Sequence, residues 1–407
     1  MQARLQGDFG RFWTASAISS LGTSVTAVAM PVLVVQVLHA SPAQVGLINA
    51  AQLLPYAALG LLVGAYVDRR RRRPLLVLAG VGRGVTLGAI PVLWLLGVLH
   101  VWVLIVALLA FGSFAVIGFA AGQSLLPRLV ARHDLVRANA RLDQSDAAAQ
   151  TLGPVVGGGA ATLLGAPVAL AVDAVSYLAE ATLVARMRFT EPPPQVGGRR
   201  LGQEIAEGVR WTYRHPTLGP LALSTHLWFF ANAAGLTVLS LLALRTLGLS
   251  PFVYGVVLAA GGVATFAGAT LAPHAGTRSG PGRVVIGARA AYPCAWVLVL
   301  LSPTGGLGVA MLVLALVVQG FAGGLENANE MGLRQTLTPD AQLGRTNATI
   351  RSANRTVAAL GAVAAGAVVT LTGERPTLVG VAVVLVGAWA VAAFSPLRSA
   401  PGAVTAG

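Results

Sequence analysis

Four carboxylates stand where water is scarce. Asp173, Glu180, Glu326 and Glu330 each interrupt a run of apolar residues, and so do two guanidinium groups, Arg83 and Arg289. An ionised side chain near the middle of a bilayer costs about 2.5–3.5 kcal/mol on insertion scales. Such groups either pair with one another or perform a task, and the task that suits a secluded carboxyl is taking up and releasing a proton.

Spacing sorts the candidates. Asp173, Tyr177 and Glu180 recur at i, i+4 and i+7, hence on one helix face. Glu326-Asn327-Ala328-Asn329-Glu330 places two acids at i and i+4, again on one face. Glu326 is the first choice for proton coupling, with Glu330, Glu180 and Asp173 behind it. Alternatives stand beside each reading: a solvated vestibule for Glu326, a structural pairing with Arg83 for Asp173. Asp143 and Asp146 open a helix, and a shift of 208 positions lays them on Arg351 and Asn354; they are either groups favoured by the helix dipole or members of ion pairs across the two halves. His226, Trp228, Phe229, Phe230 and Asn232 share one apolar run and, with Gln52, Gln123 and Asn327, would give a hydrophobic ligand an aromatic wall with few polar groups.

Other chemistries drop out. All 28 basic residues are arginine, so a phosphate-cradling loop with its lysine is excluded. Six histidines and one cysteine, Cys294, show no metal-ligand spacing and permit no internal disulfide. Nor does a nucleophile-base constellation stand out. The expectation is no enzyme, no cofactor, no metal, and work drawn from an ion gradient or from downhill flow.

The elements that must position these residues are membrane helices. The chain of 407 residues is 55% hydrophobic and only 10% charged, which no ordinary soluble domain of that length shows. Runs of about 20 apolar residues match the roughly 30 Å hydrocarbon core. Gly, Pro and charge clusters divide the first half at 12–38, 43–67, 75–96, 101–126, 142–164 and 167–187. The second half divides at 217–244, 251–272, 284–302, 307–332, 347–372 and 377–396. The first of these runs mimics a signal peptide but is too long for one, and reads as an uncleaved span.

Of the 28 arginines, Arg83 and Arg289 fall within spans and Arg245 and Arg375 on one side, leaving 24 on the other. This is the positive-inside pattern and places both termini in the cytoplasm; a nucleic-acid face would not sort so. Three domains are expected: a six-helix bundle over 1–187, a cytoplasmic linker over 188–216, and a second bundle with a short tail over 217–407. In the linker Leu201, Ile205, Val209 and Tyr213 recur at helical spacing, which predicts an amphipathic helix on the inner membrane surface.

The halves repeat. A shift of 208 positions lays Leu129, Leu135, Arg137, Asn139 and Ala140 on Leu337, Leu343, Arg345, Asn347 and Ala348, and Gly153 and Gly158 on Gly361 and Gly366. Arg83 and Arg289 differ by 206 and take matching places in spans three and nine. Six spans duplicated in one orientation would give this pattern.

Between spans two and three, Gly64-x-x-x-Asp68-Arg69-x-x-Arg72-Arg73 resembles the signature of the major facilitator superfamily at that place. The resemblance implies an all-α fold of twelve membrane helices in two pseudo-symmetric bundles. It also implies a gate in which Asp68 meets the start of span eleven or its arginines Arg351 and Arg355. This chain has Arg71 where the family usually has glycine. Gly153-Pro154-Val155-Val156-Gly157-Gly158 resembles the tail of the motif typical of proton-coupled antiporters, with Ala149 in place of its earlier glycine; close helix packing is the alternative.

A broader resemblance rests on Pro31-Val32-Leu33, Leu54-Pro55-Tyr56, Leu126-Pro127-x-Leu129-Val130, Asp134-Leu135-x-Arg137-Ala138-Asn139-Ala140 and Val172-Asp173-Ala174-x-Ser176. It points to the macrolide-efflux and enterobactin-exporter-like branch. Members often carry an acid after the glycine of span one, where Thr23 follows Gly22 here, and another before Arg83, where this chain has Ala79 to Gly82. The resemblance implies a proton-driven exporter of a small hydrophobic molecule such as a drug, antibiotic or siderophore, an antiporter of the cell inner membrane. An importer of lipid or nutrient with the same fold, and a membrane sensor or scaffold that moves nothing, stand as alternatives.

Overall fold

Backbone N–H and C=O groups inside hydrocarbon must be satisfied within the segment that carries them, so each apolar run becomes a helix. The computed structural model describes residues 2–131, 134–188, 191 and 201–399, and among them the fold is all-α, with no strand. Thirteen α-helices follow one another: α1 Gln2–Val32, α2 Pro42–Asp68, α3 Arg72–Leu95, α4 Val101–Leu129, α5 Leu135–Leu164, α6 Ala166–Ala185, α7 Leu201–Arg214, α8 Leu218–Leu241, α9 Pro251–Ser279, α10 Pro281–Leu301, α11 Gly306–Leu337, α12 Asp340–Thr372 and α13 Glu374–Ala393.

Ten of these helices are long and apolar enough to cross a membrane. Two more, α2 and α5, reach 27 and 30 residues. Helices α5 and α12 each begin seven residues before the apolar run that predicts them, at 135 rather than 142 and at 340 rather than 347. Side-chain polarity does not interrupt the backbone ladder, so both helices continue outward through Arg137 and Arg141, or Arg345 and Asn347.

Two compact units result: Met1–Ala40, Ala51–Gly198 and Ser250–Ala259 form one; Ser41–Ala50, Arg199–Leu249 and Ala260–Gly407 form the other. In the first, α3 packs on α6 and α4, and α1 on α5 and α6. In the second, α8 packs on α12 and α13, and α10 on α11 and α13. Each unit therefore takes in the first ten or so residues of a helix, α2 or α9, whose remainder belongs elsewhere.

The linker helix α7 is docked within the second unit. Gly208 and Thr212 are buried, and a side chain at Gly208 would press on Thr349 and Arg345 of α12. Glu207 pairs with Arg345. The apolar row expected to lie on the membrane contributes Val209 and Tyr213, 41% and 42% exposed. Protein thus takes one face of α7, and of the predicted membrane face Val209 and Tyr213 stay accessible, the side chains of Leu201 and Ile205 lying outside the described ones.

Candidate functional site

In the first unit a buried polar network assembles on α1, α3 and α6. Arg83 donates from Nη2 to both oxygens of Glu180, at 3.0 and 2.9 Å, and its guanidinium lies 4.3 Å from the centre of the Tyr177 ring. Close packing of α3 on α6 brings the pair together, because a side chain at Gly80 would collide with Ala181 and one at Gly84 with Leu178. The alternative offered for Asp173, a structural pairing with Arg83, is therefore corrected: the ion pair of Arg83 is with Glu180. Glu180 lies nearer the arginine-bearing end of α6 and takes the cation.

Asp173 is fully buried and receives hydroxyl groups only. Thr26 of α1 donates to Oδ2 at 2.5 Å, and Ser176 donates to Oδ1 at 2.9 Å. No arginine lies within 4 Å of it among the described residues. Gly22 makes this contact sterically feasible, since a Cβ there would collide with Oδ1 of Asp173 and with Oγ of Ser176. One turn along α6, Tyr177 and Thr23 share a hydroxyl hydrogen bond of 2.7 Å. The stretch Gly22-Thr23-x-x-Thr26 thus covers the acid-bearing face of α6.

The second unit builds its network on α8, α10 and α11. Arg289, 1% exposed, donates from Nε to Glu326 at 2.8 Å and from Nη2 to Glu330 at 3.1 Å and Thr225 at 2.7 Å. It also donates to Ser224. The Tyr292 hydroxyl donates to the other oxygen of Glu326 at 2.7 Å. Arg334 pairs with Glu330 and donates to Asn347 at 3.4 Å. Two arginines face two carboxylates, so the formal charge sums to zero; in the first unit one arginine faces two acids.

A separate chain of hydrogen bonds runs from α12 through α8 to α7. Both ring nitrogens of His226 are engaged, Nε2 with the Tyr213 hydroxyl at 2.7 Å and Nδ1 with Asn354 Oδ1 at 2.6 Å. Trp228 packs between Phe229 and Tyr292, with ring centres 4.9 and 5.5 Å away. Asn232 accepts from Gln319 at 2.8 Å. Gln52 is half-buried, while Gln123 and Asn327 are exposed. The structure therefore joins Trp228 to the Arg289 region and spends His226 and Asn232 on internal bonds. Asp146 accepts from Gln150 at 2.6 Å within its own helix.

The antiporter-like stretch is a packing surface within the first unit. Side chains at Gly153 and Gly157 would strike Ser24 and Val25 of α1, and one at Gly158 the first turn of α9. Pro154 offers its carbonyl to the space beside Gly255. At the arginine elbow, Glu191 accepts from the backbone N–H groups of Arg72 and Arg73 at 2.7 and 3.3 Å, capping α3, and pairs with Arg72 and Arg128. Arg69 is exposed. The latch expected of Gly64 and Asp68, with Arg351 and Arg355, turns on side chains at 64 and 68 that lie outside the described residues.

Sequence reasoning missed the hydroxyl partners Thr26, Ser176, Ser224 and Thr225, and also Tyr292, Arg334 and Asn354. A signal existed for some of them. Ser176 stands three residues after Asp173 and Arg334 four after Glu330, the spacings at which helical side chains meet. Hydroxyls contributed by another helix leave no such mark.

The family model for transmembrane secretion effectors matches residues 4–404. An uncharacterized MFS-type transporter of Sinorhizobium fredii, y4rN, is 28% identical over 263 residues, 62% of this chain and 62% of that protein. The multidrug efflux pump Tap of Mycobacterium tuberculosis is 28% identical over 217 residues, 51% of this chain and 52% of the pump. The chain thus matches between half and two thirds of these relatives' lengths. A crystal structure of a mutant of the nucleoside transporter NupG superposes with a TM-score of 0.80 at 12% identity, covering 95% of this chain and 99% of that one, a likeness of fold. Two units of long apolar helices, with buried arginine-acid networks and a family match over nearly the whole length, make this a multi-pass membrane protein and no enzyme: the chain belongs to the transmembrane secretion effector family of major facilitator transporters.

Proposed function

We propose that the protein exports small hydrophobic molecules in exchange for protons, with Asp173 as the residue that carries the proton. The observation that carries this reading is the unbalanced carboxyl. Asp173 is buried, held by two hydroxyls and without an arginine within 4 Å among the described residues. Glu326 and Glu330 each lie in an ion pair with Arg289. Protonating either would break a buried pair, at a cost of about 3–5 kcal/mol. Protonating Asp173 breaks none.

A carboxyl so placed changes its charge when its access to water changes, and alternating access supplies that change. Export is supported by the similarity to Tap, named as a multidrug efflux pump. The arginine count on the two sides supports cytoplasmic termini.

The test uses purified protein in liposomes under an imposed pH gradient, with a panel of hydrophobic antibiotics and siderophores. Flux should track the gradient for the natural chain and be indifferent to it for Asp173→Asn, while Glu326→Gln keeps the dependence in whatever protein folds. A gradient-driven Asp173→Asn variant would return the role to Glu180 or to the Glu326 pair. Uptake into cells, in place of expulsion, would overturn the direction.

A further inference from the structure

At the arginine-bearing membrane face of the first unit, the start of α3 and the end of α6 enclose a cavity of about 490 Å³. It is lined by Arg71, Arg73 and Arg188, by Pro74, Val77 and Ala185, and by Glu191. Glu191 is already engaged, capping α3 and pairing with Arg72 and Arg128. Arg73 is fixed across the groove, because it donates to the carbonyls of Val184, at 3.2 Å, and Ala185 at the end of α6. The guanidinium groups of Arg71 and Arg188 have no carboxylate within 4 Å among the described residues, and both residues are exposed.

Below this basic rim the same two helices turn apolar and outward. Leu78, Val81 and Val85 of α3 are 51%, 42% and 60% exposed, and Leu178 and Val175 of α6 are 40% and 63% exposed. In a membrane protein those faces meet acyl chains. Three arginines over an apolar wall, at the level where spans leave the hydrocarbon, match the two-part chemistry of a lipid whose head carries negative charge. Guanidinium groups suit phosphate because their planar donors bind its oxygens in pairs.

We infer that this groove is a binding site for one anionic phospholipid, its phosphate held by Arg71, Arg73 and Arg188 and its acyl chains lying along α3 and α6. The run of five arginines at 69–73 then does more than orient the chain: Arg73 fastens α3 to α6, and Arg71 faces a ligand.

The probe is phosphatidylglycerol against phosphatidylcholine, presented to the purified full-length protein in mixed micelles and read by native mass spectrometry. Arginine at an anionic membrane surface contributes about 1 kcal/mol each, or roughly fivefold in retention. Arg71→Gln/Arg188→Gln should therefore lower the preference for phosphatidylglycerol by about twenty-five-fold, with Arg73 left to hold α6. The pair Arg278→Gln/Arg283→Gln, at the end of α9 and the start of α10, removes the same charge elsewhere and should leave the preference in place. Ala185→Trp fills the apolar wall with every arginine retained and should also abolish it. Equal losses from both arginine pairs would mean diffuse attraction and overturn the site. So would an undiminished preference in the first pair. Displacement of the lipid by millimolar inorganic phosphate would identify a soluble-anion site and overturn the lipid assignment.

Discussion

Arg83 and Arg289 take matching places in the two halves, yet they bind acids on helices that do not match. Arg83 takes Glu180 from α6, whereas Arg289 takes Glu326 and Glu330 from α11. The shift of 208 residues carries Glu180 onto Ala388 and Asp173 onto Val381, and it carries Gly118 and Gly122 of α4 onto Glu326 and Glu330. A Cβ at Gly118 would lie 3.4 Å from the Arg83 guanidinium, on the side from which Glu326 approaches Arg289. Both halves keep a buried cation in the α3 or α10 position. The counter-charge comes from different neighbours, and among the described residues only the first half's buried cluster is left with a surplus carboxyl. Similar folds therefore give one balanced cluster, suited to holding helices together, and one unbalanced cluster, suited to changing its charge.

The largest expected effect tests the balanced side. Arg289→Met leaves Glu326 buried without its cation, which costs about 3–5 kcal/mol. The thermal midpoint of the purified protein should fall steeply, and adding Glu326→Gln should recover part of the loss. A single variant that melts with the natural protein would show that the second cluster is no keystone.

The repeat itself can be broken next. Gly158 and Gly366 are related by the shift, and a Cβ at either would sit 2.5 Å from a carbonyl oxygen, that of Pro251 or of Pro42. Gly158→Ala and Gly366→Ala should each cost about 1–3 kcal/mol by overpacking. Gly159→Ala, where nothing lies within 4 Å, should cost nothing. Unequal losses at the paired positions, read from the same melts, would weaken the symmetry of the two units.

That symmetry is also written at the starts of α2 and α9. Ser41-Pro42-x-x-x-Gly46 and Ser250-Pro251-x-x-x-Gly255 stand 209 residues apart. They begin α2 and α9, the two helices whose first turns are shared out between units. Each follows a π-helical turn, Leu33–Val37 or Leu242–Thr246, and a residue with positive φ, His39 at 48° or Gly248 at 62°. Apolar run length marked the spans because hydrocarbon demands it, and burial of the four acids followed from their position in those runs. The choice of partner did not. Glu180 and Asp173 lie on one face at i and i+7, and their order relative to Arg83 depends on how far α3 slides along α6, which Gly80 and Gly84 allow and no spacing records. Glu326 stands out as one of two acids on one helix face within an apolar run, but its pairing with Arg289 is a contact between residues 37 apart, settled by helix packing.

Asp173→Asn sharpens the comparison at a lower energy. The amide keeps the shape: its oxygen can accept from one of the two hydroxyls and its NH2 can donate to the other, so stability should change by no more than about 1 kcal/mol. Gradient dependence of transport should nevertheless vanish. Glu180→Gln, which leaves Arg83 without its carboxylate, should melt earlier than Asp173→Asn. The reverse order would make Asp173 the structural acid and Glu180 the candidate for proton transfer.

The smallest effect separates this assignment from another titrating group. His215, in the turn before α8 and outside the spans, accepts the backbone N–H groups of Thr217 and Leu218 through Nδ1 at 3.2 and 3.1 Å. Only the neutral ring can cap the helix in this way, and burial lowers its pKa from the ordinary 6.5. The unfolded chain therefore takes up the proton first as the solution is acidified. The cap's contribution is complete above about pH 6.5 and is lost as pH falls from there through the lower folded value. His215→Asn keeps an acceptor at the cap and removes the titration. Its melting temperature should fall less than that of the natural protein between about pH 7 and pH 5, and its gradient-driven flux should be unchanged. Loss of coupling in that variant would move the proton-sensing group out of the first unit and leave the surplus carboxyl at Asp173 without a task.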